Sequence, residues 1–182
     1  MPRQARLDTP GTLHHVMMRG IERKRIFREE EDRKDFVSRL KNLSQETGTR
    51  LLAWSLLNTH VHLLLFSGPS GLSLFMRRLL SGYSQAFNRR HKRNGHLFQN
   101  RYKSIICEEE TYLLELVRYI HLNPLRASAV ASLAELGRYP WSGHGALVGK
   151  EKNDWQETGY VLQQFHQNER EAIRVYRRFM EE

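Results

Sequence analysis

The chain has 182 residues, 40% of them hydrophobic and 27% charged, which is enough apolar material to bury a core in one domain with a small terminal extension. Lys and Arg number 29 against 20 Asp and Glu, and the resulting net charge of +9 points to a polyanionic partner, nucleic acid being the commonest. The single cysteine, Cys107, excludes an intrachain disulfide or a cysteine-based zinc cluster, no apolar run is long enough to span a bilayer, and Met1 to Arg6 lacks the apolar core of a signal peptide, so a cytoplasmic protein is expected.

In chain order, Thr12 to Arg19 has strand-like bulk and stops at Gly20. A helix is expected from about Glu29 to Glu46, with Phe36, Val37, Leu40 and Leu43 at helical spacing, acidic residues in its first turn and Gly48 as its stop. Arg50 to Leu57 and His60 to Phe66 read as antiparallel strands around a tight Asn58-Thr59 turn, followed by a Gly68-Pro69-Ser70-Gly71 loop. A second helix spans about Leu72 to His91, and Asn94-Gly95 leads to a strand from Leu97 to Cys107. Glu109 to Leu122 reads as a third helix closed by Asn123-Pro124, and two more follow near Thr158 to His166 and Glu169 to Glu182. The order β-α-β-β-α-β predicts an α+β fold, a ferredoxin-like or RRM-like antiparallel sheet with helices on one face. The third helix is an addition to that core. Residues 1–145 form the expected domain, and residues 146–182 a C-terminal helical extension packed on it.

Two patterns carry chemistry. On a strand His60 and His62 project from the same face, where two imidazoles can share one divalent ion; a plain pair of surface histidines gives the same pattern. On the third helix Leu113, Leu116, Val117 and Ile120 make the buried stripe, while Tyr112, Glu115, Tyr119 and Asn123 share another face. Tyr119 and Asn123 could present a nucleophile and a metal ligand together, or Tyr119 could be a packing tyrosine. His14 and His15 lie on the first strand and are adjacent to the site at most.

His60-Val61-His62 followed by Leu63-Leu64-Leu65 resembles the HUH motif (His, hydrophobic, His) of single-tyrosine transposases. Leu116-Val117-Arg118-Tyr119-Ile120-His121-Leu122-Asn123-Pro124 is similar to the nucleophile helix of the branch called REP-associated tyrosine transposases. The resemblance extends to Gly11-Thr12-Leu13-His14-His15-Val16 with Arg19-Gly20, to the run from Gly95 to Lys103, and to Tyr139-Pro140-Trp141-Ser142, covering roughly residues 10 to 145. The chain departs from it at Leu57-Asn58-Thr59, where relatives often read Met-Pro-Asn, at Asn100, where glycine is common, and at Leu125 to Ser128. These departures touch DNA-contact details and leave the implied catalytic groups in place.

The resemblance implies that His60, His62 and Asn123 hold Mg²⁺ or Mn²⁺, with no nucleotide cofactor. Tyr119 would then attack the scissile phosphate and leave a 5′-phosphotyrosine. The implied substrate is single-stranded hairpin DNA, with Arg19, Arg77, Arg78, Arg89, Arg90, Lys92, Arg93, Arg101, Lys103 and Arg118 as candidate contacts; no membrane is involved and a homodimer is allowed. The main alternative is a non-catalytic RRM-like protein that binds single-stranded nucleic acid. A larger HUH replication initiator or relaxase, and a zinc hydrolase, fit less well. The chain is short for the former, and no carboxylate base stands beside the histidines for the latter.

Overall fold

The computed structural model describes residues 8–108 and 110–182. Strands β1 (Leu13–Arg19), β2 (Arg50–Leu56), β3 (His60–Phe66) and β4 (Lys103–Ile106) pair antiparallel in the order β2-β3-β1-β4. Their alternation divides the apolar residues into two cores. Val16 and Met18 of β1 join Val61, Leu63 and Leu65 of β3 under helices α1 (Glu30–Thr47) and α2 (Gly71–Arg90). Leu13, Leu52, Ala53 and Leu64 project the other way, beneath α3 (Glu110–Arg126). A register shift between Leu51 and Ala53 explains why Leu52 and Ala53, adjacent in sequence, both reach the second core: a bulge sends successive side chains to one face.

Local chemistry fixes the ends of α1. Asp32 at its third position accepts from the Glu29 backbone N–H at 3.0 Å, and Glu29 returns the bond in a capping box. Gly48 closes the helix at φ 67°, a left-handed conformation that glycine adopts without a Cβ penalty. The Asp8 carboxylate caps α2 through the Leu72 and Ser73 amides.

Beyond α3 the chain forms α4 (Leu133–Leu136), α5 (His144–Leu147), α6 (Thr158–Gln163) and α7 (Glu169–Glu181). Leu147, Val161, Leu162, Ala172 and Met180 share the second core with α3. The outer edge of β2 is covered by this part of the chain: Leu56 donates to the Trp141 carbonyl, Gly143 to that of Trp54, and Glu157 to that of Leu51. No helix among the described residues is long and apolar enough to cross a membrane.

The four-stranded antiparallel sheet and its flanking helices agree with the expected class, but two boundaries differ. The strand expected from Leu97 contracts to Lys103–Ile106, because Asn100 adopts φ 58° and breaks the extended run. Helix α3 continues through Pro124 to Arg126. Only one interior N–H is lost so near the helix end, and Ala127 and Ala129 still donate to the Asn123 and Pro124 carbonyls at 2.8 Å. The expected start at Glu109 lies outside the described residues.

A buried polar triad ties α3 to α5 and α7. The Tyr176 hydroxyl sits 3.0 Å from His121 Nδ1 and 2.8 Å from His144 Nδ1. One hydroxyl hydrogen serves one imidazole, so the other ring donates to the tyrosine oxygen. Tyr176→Phe should cost about 1–3 kcal/mol in urea unfolding by leaving both rings unpartnered. Burial lowers the His144 pKa to about 4, and Arg177 adds to the effect. The unfolded chain therefore binds the extra proton first, near the ordinary value of 6.5, so stability present above that value is lost as pH falls toward 4. His144→Gln should flatten that part of the stability profile measured by denaturation across pH.

Candidate active site

Because β3 sends Val61, Leu63 and Leu65 into the first core, His60 and His62 stand together on the face that carries α3. The β1–β3 register places Arg19 opposite His60 and Met17 opposite His62, so His15 shares their face. His15 Nε2 lies 3.1 Å from His62 Nδ1, with the rings stacked 5.4 Å apart. The His60 ring stands 5.2 Å from that of His62, and its Nδ1 lies 3.1 Å from Thr59 Oγ1. Tyr119 meets this group edge-on from α3, its ring 5.7 Å from His62 and 5.9 Å from His15. Ser55, opposite His62 on β2, is buried, and its Oγ has no hydrogen-bond partner among the described residues.

Burial keeps the imidazoles neutral. Loss of water, then the neighbouring His15, His60 and Arg19, lowers the His62 pKa to about 3. Burial and Arg19 lower that of His60, and burial and Lys103 that of His15. A divalent ion needs a neutral imidazole with a free lone pair, held in place by a bond at its other nitrogen. Both requirements are met. The Nδ1 atoms of His60 and His62 are engaged by Thr59 and His15, and neither Nε2 has a protein partner among the described residues. With Nε2 as ligand, each Nδ1–H donates, His62 to His15 Nε2 and His60 to Thr59 Oγ1.

Asn123 lies one turn beyond Tyr119, buried, with Nδ2 donating to the Tyr119 carbonyl at 3.0 Å and Oδ1 without a hydrogen-bond partner among the described residues. Arg118 turns away to α7. It bonds Glu115 at 2.7 Å and the Phe179 carbonyl at 3.1 Å, and lies over the Phe179 ring. The cation over the tyrosine is Arg126, its guanidinium 5.3 Å from the centre of the Tyr119 ring.

The remaining basic candidates separate by their partners. Arg90 is held by Asp32 at 2.5 Å and Arg78 by Glu46 at 2.6 Å, while Arg93 donates to Asn88 and to the His96 carbonyl. Arg19, Arg77, Arg89, Lys92, Arg101 and Lys103 are exposed and make no ion pair among the described residues. Arg89, Lys92 and Arg93 line a shallow concavity of about 590 Å³ with Gln85 and Asn88.

A second group of potential ligands, Glu29, Asp32 and His91, brings its atoms within 4.8 Å of one another, close enough for a divalent cation. It lies at the start of α1, on the opposite side of the sheet from His62. Its buried carboxylate already accepts from Arg90, His91 and two backbone amides, so the cluster serves as a helix cap.

Sequence reasoning set His15 aside and missed Ser55 and Arg126. Strand parity alone separates the two first-strand histidines: His14 faces the other way, 3.1 Å from Ser104 Oγ. The bulge conceals the parity of Ser55, and Arg126 reaches Tyr119 only because α3 runs past Pro124.

The four-stranded antiparallel sheet thus carries a histidine pair on one face, and the added helix α3 brings a tyrosine over it. Residues 10–123 match the family described as "Transposase IS200 like", and the chain belongs to that family. Its fold is that of a REP-associated tyrosine transposase solved bound to a REP hairpin, at a TM-score of 0.67 and 14% identity, covering 86% of this chain and 97% of that one. A tRNA(His) guanylyltransferase from Saccharomyces cerevisiae aligns over 75% of this chain and 73% of its own, at 11% identity and a TM-score of 0.46. Among curated proteins nothing matches the chain.

The His15–His62 contact makes a direct prediction. In ¹⁵N-histidine correlation spectra at neutral pH, His62 should carry its proton on Nδ1, and His15→Phe should shift it toward the Nε2–H form. An unchanged Nδ1–H signature in the variant would mean that this contact does not set the tautomer.

Proposed function

We propose that the chain is a metal-dependent, single-tyrosine DNA strand transferase that cleaves and rejoins single-stranded hairpin DNA through a 5′-phosphotyrosine. The observation that carries this reading is the 5.7 Å approach of the Tyr119 ring to His62 within one chain. Tyr119 is 39% exposed at that point and His62 only 4%, so a reachable nucleophile adjoins a sheltered ligand pair. Membership in a transposase family supports the reaction class. The shared fold with a transposase whose structure contains a REP hairpin supports the substrate class.

His60 and His62 would hold Mg²⁺ or Mn²⁺ through Nε2, with the Asn123 amide oxygen as third protein ligand. When bound, the ion supplies polarisation of the scissile phosphate and stabilisation of charge on its non-bridging oxygens. Thr59 and His15 hold the two rings in the ligating orientation. Tyr119 Oη attacks phosphorus. An Oη–P bond forms as the P–O3′ bond breaks, the phenol gives up a proton and the departing 3′ oxygen gains one. The products are a 3′-OH and a 5′-phosphotyrosine, and attack by a 3′-OH reverses the step without ATP. Arg126, 5.3 Å from the centre of the Tyr119 ring, places positive charge over the nucleophile's ring.

Exposed cations without ion pairs, Arg19, Arg77, Arg89, Lys92, Arg101 and Lys103, would contact the DNA backbone. Residues 1–145 carry the chemistry, and the helices of residues 146–182 brace α3 from behind. Tyr119 serves the histidines of its own chain, so a homodimer would contain two complete sites. The protein acts on cytoplasmic DNA.

Labelled hairpin DNA from the flanks of the protein's own gene, incubated with Mg²⁺, should yield a denaturation-resistant protein–DNA adduct. EDTA or Tyr119→Phe should abolish it. Binding without an adduct on any hairpin would favour a non-catalytic binding protein instead, and an adduct that survives in Tyr119→Phe would assign the nucleophile elsewhere.

A further inference from the structure

Large apolar side chains that remain exposed side by side in a folded protein mark a place where something docks. Among the described residues these are Ile105 at 45%, Tyr112 at 60%, Tyr119 at 39% and Val175 at 36%. The first three line one groove of about 650 Å³ between β4 and α3. Helix α3 packs over β2 and β3, so the β4 side of the same sheet face stays open, with Ile105 on its floor directly opposite His15. Tyr112 precedes Tyr119 by seven residues on α3. Two turns bring it back to almost the same azimuth, about 10 Å along the axis.

We propose that this groove is a nucleobase subsite, which receives the base of a nucleotide bonded to the scissile phosphate and stacks it on Tyr112. The inference rests on the strand-transfer reading, which supplies the phosphate at Tyr119. The chemistry of the groove selects a base over other parts of the DNA. Its apolar floor and exposed phenol ring suit a flat aromatic ligand. The carboxylate of Glu108 at its margin repels a phosphate but accepts hydrogen bonds from exocyclic amino groups. Positive charge falls at the end where the phosphate belongs, from Arg126 over the Tyr119 ring, while Arg118 is neutralised by Glu115 at 2.7 Å. Adenine, cytosine and guanine carry amino groups and thymine carries none, so a base of the first kind fits better.

The test is a binding experiment with the full chain and hairpin DNA from its own gene's flanks, with an abasic site or 2-aminopurine placed in turn at each flanking position. Wild type should lose roughly five- to hundredfold in affinity at one abasic position, the range expected for one stacked base. Tyr112→Ala should lose the same factor on intact DNA and nothing further on the abasic strand, and Tyr112→Phe should bind as wild type does. At that position 2-aminopurine should be quenched by wild type and bright with Tyr112→Ala. Unchanged affinity in Tyr112→Ala, or a loss that multiplies fully with the abasic loss, would overturn the proposal. Both readouts hold in Tyr119→Phe, so a failure of cleavage and a failure of the subsite give different results.

Discussion

Everything at the candidate site depends on the pairing of β1 with β3. Side chains alternate across a strand, so the register that seats Val16 and Met18 with Val61, Leu63 and Leu65 also fixes which side receives the histidines. A slip of one residue along either strand would drive imidazoles into the apolar layer beneath α1 and α2 and expose leucines to α3. The burial of five aliphatic side chains in the first core therefore holds the geometry of the polar cluster on the second face. The histidines need no stabilising energy of their own to stand where they do, and their mutual contacts set orientation.

The same alternation explains what was legible in the sequence. His60 and His62 could be placed together because the run that follows them is apolar and clearly a strand. Tyr119 could be placed opposite Leu113, Val117 and Ile120 because helical periodicity is strong there. His15 was not legible, because its neighbour His14 is equally polar and only the cross-strand register decides which of the two meets His62. The bulge at Leu52 is invisible to pattern reading, since two adjacent apolar residues facing one core look like a lapse in alternation. Without it Ser55 would fall on the wrong side of β2.

Arg118 and Arg126 show how helix length redistributes roles. A helix ending at Asn123-Pro124 leaves Arg118 as the natural cation for its neighbour Tyr119. The observed helix continues to Arg126, seven residues after Tyr119 and so on the same face, while Arg118 stacks on Phe179 and holds α7. Proline is expected to stop a helix because it costs a hydrogen bond within it. Pro124 removes one donor near the end of α3, and the amides of Ala127 and Ala129 still close the last turn on the Asn123 and Pro124 carbonyls. In the C-terminal helices Tyr176 and Met180 share a core with α3, and the His121–Tyr176–His144 bonds hold α3 from the side away from the histidine pair.

The physical character of the site is an asymmetry between its two halves. In the imidazole half His62 is buried and His60 half-buried, both held toward the neutral form and fixed by hydrogen bonds at each Nδ1, the condition in which a pair of Nε2 lone pairs can be held ready without rearrangement. The tyrosine half is exposed and bordered by open sheet on the β4 side. The proposed strand transfer, which must grip a bulky strand and later release a different end, needs this division. Rigidity belongs where charge is stabilised, and access belongs where the covalent bond is made and unmade. The uneven edges of the sheet serve the same end. β2 is covered by Trp141, Gly143 and Glu157, whereas β4 borders the groove.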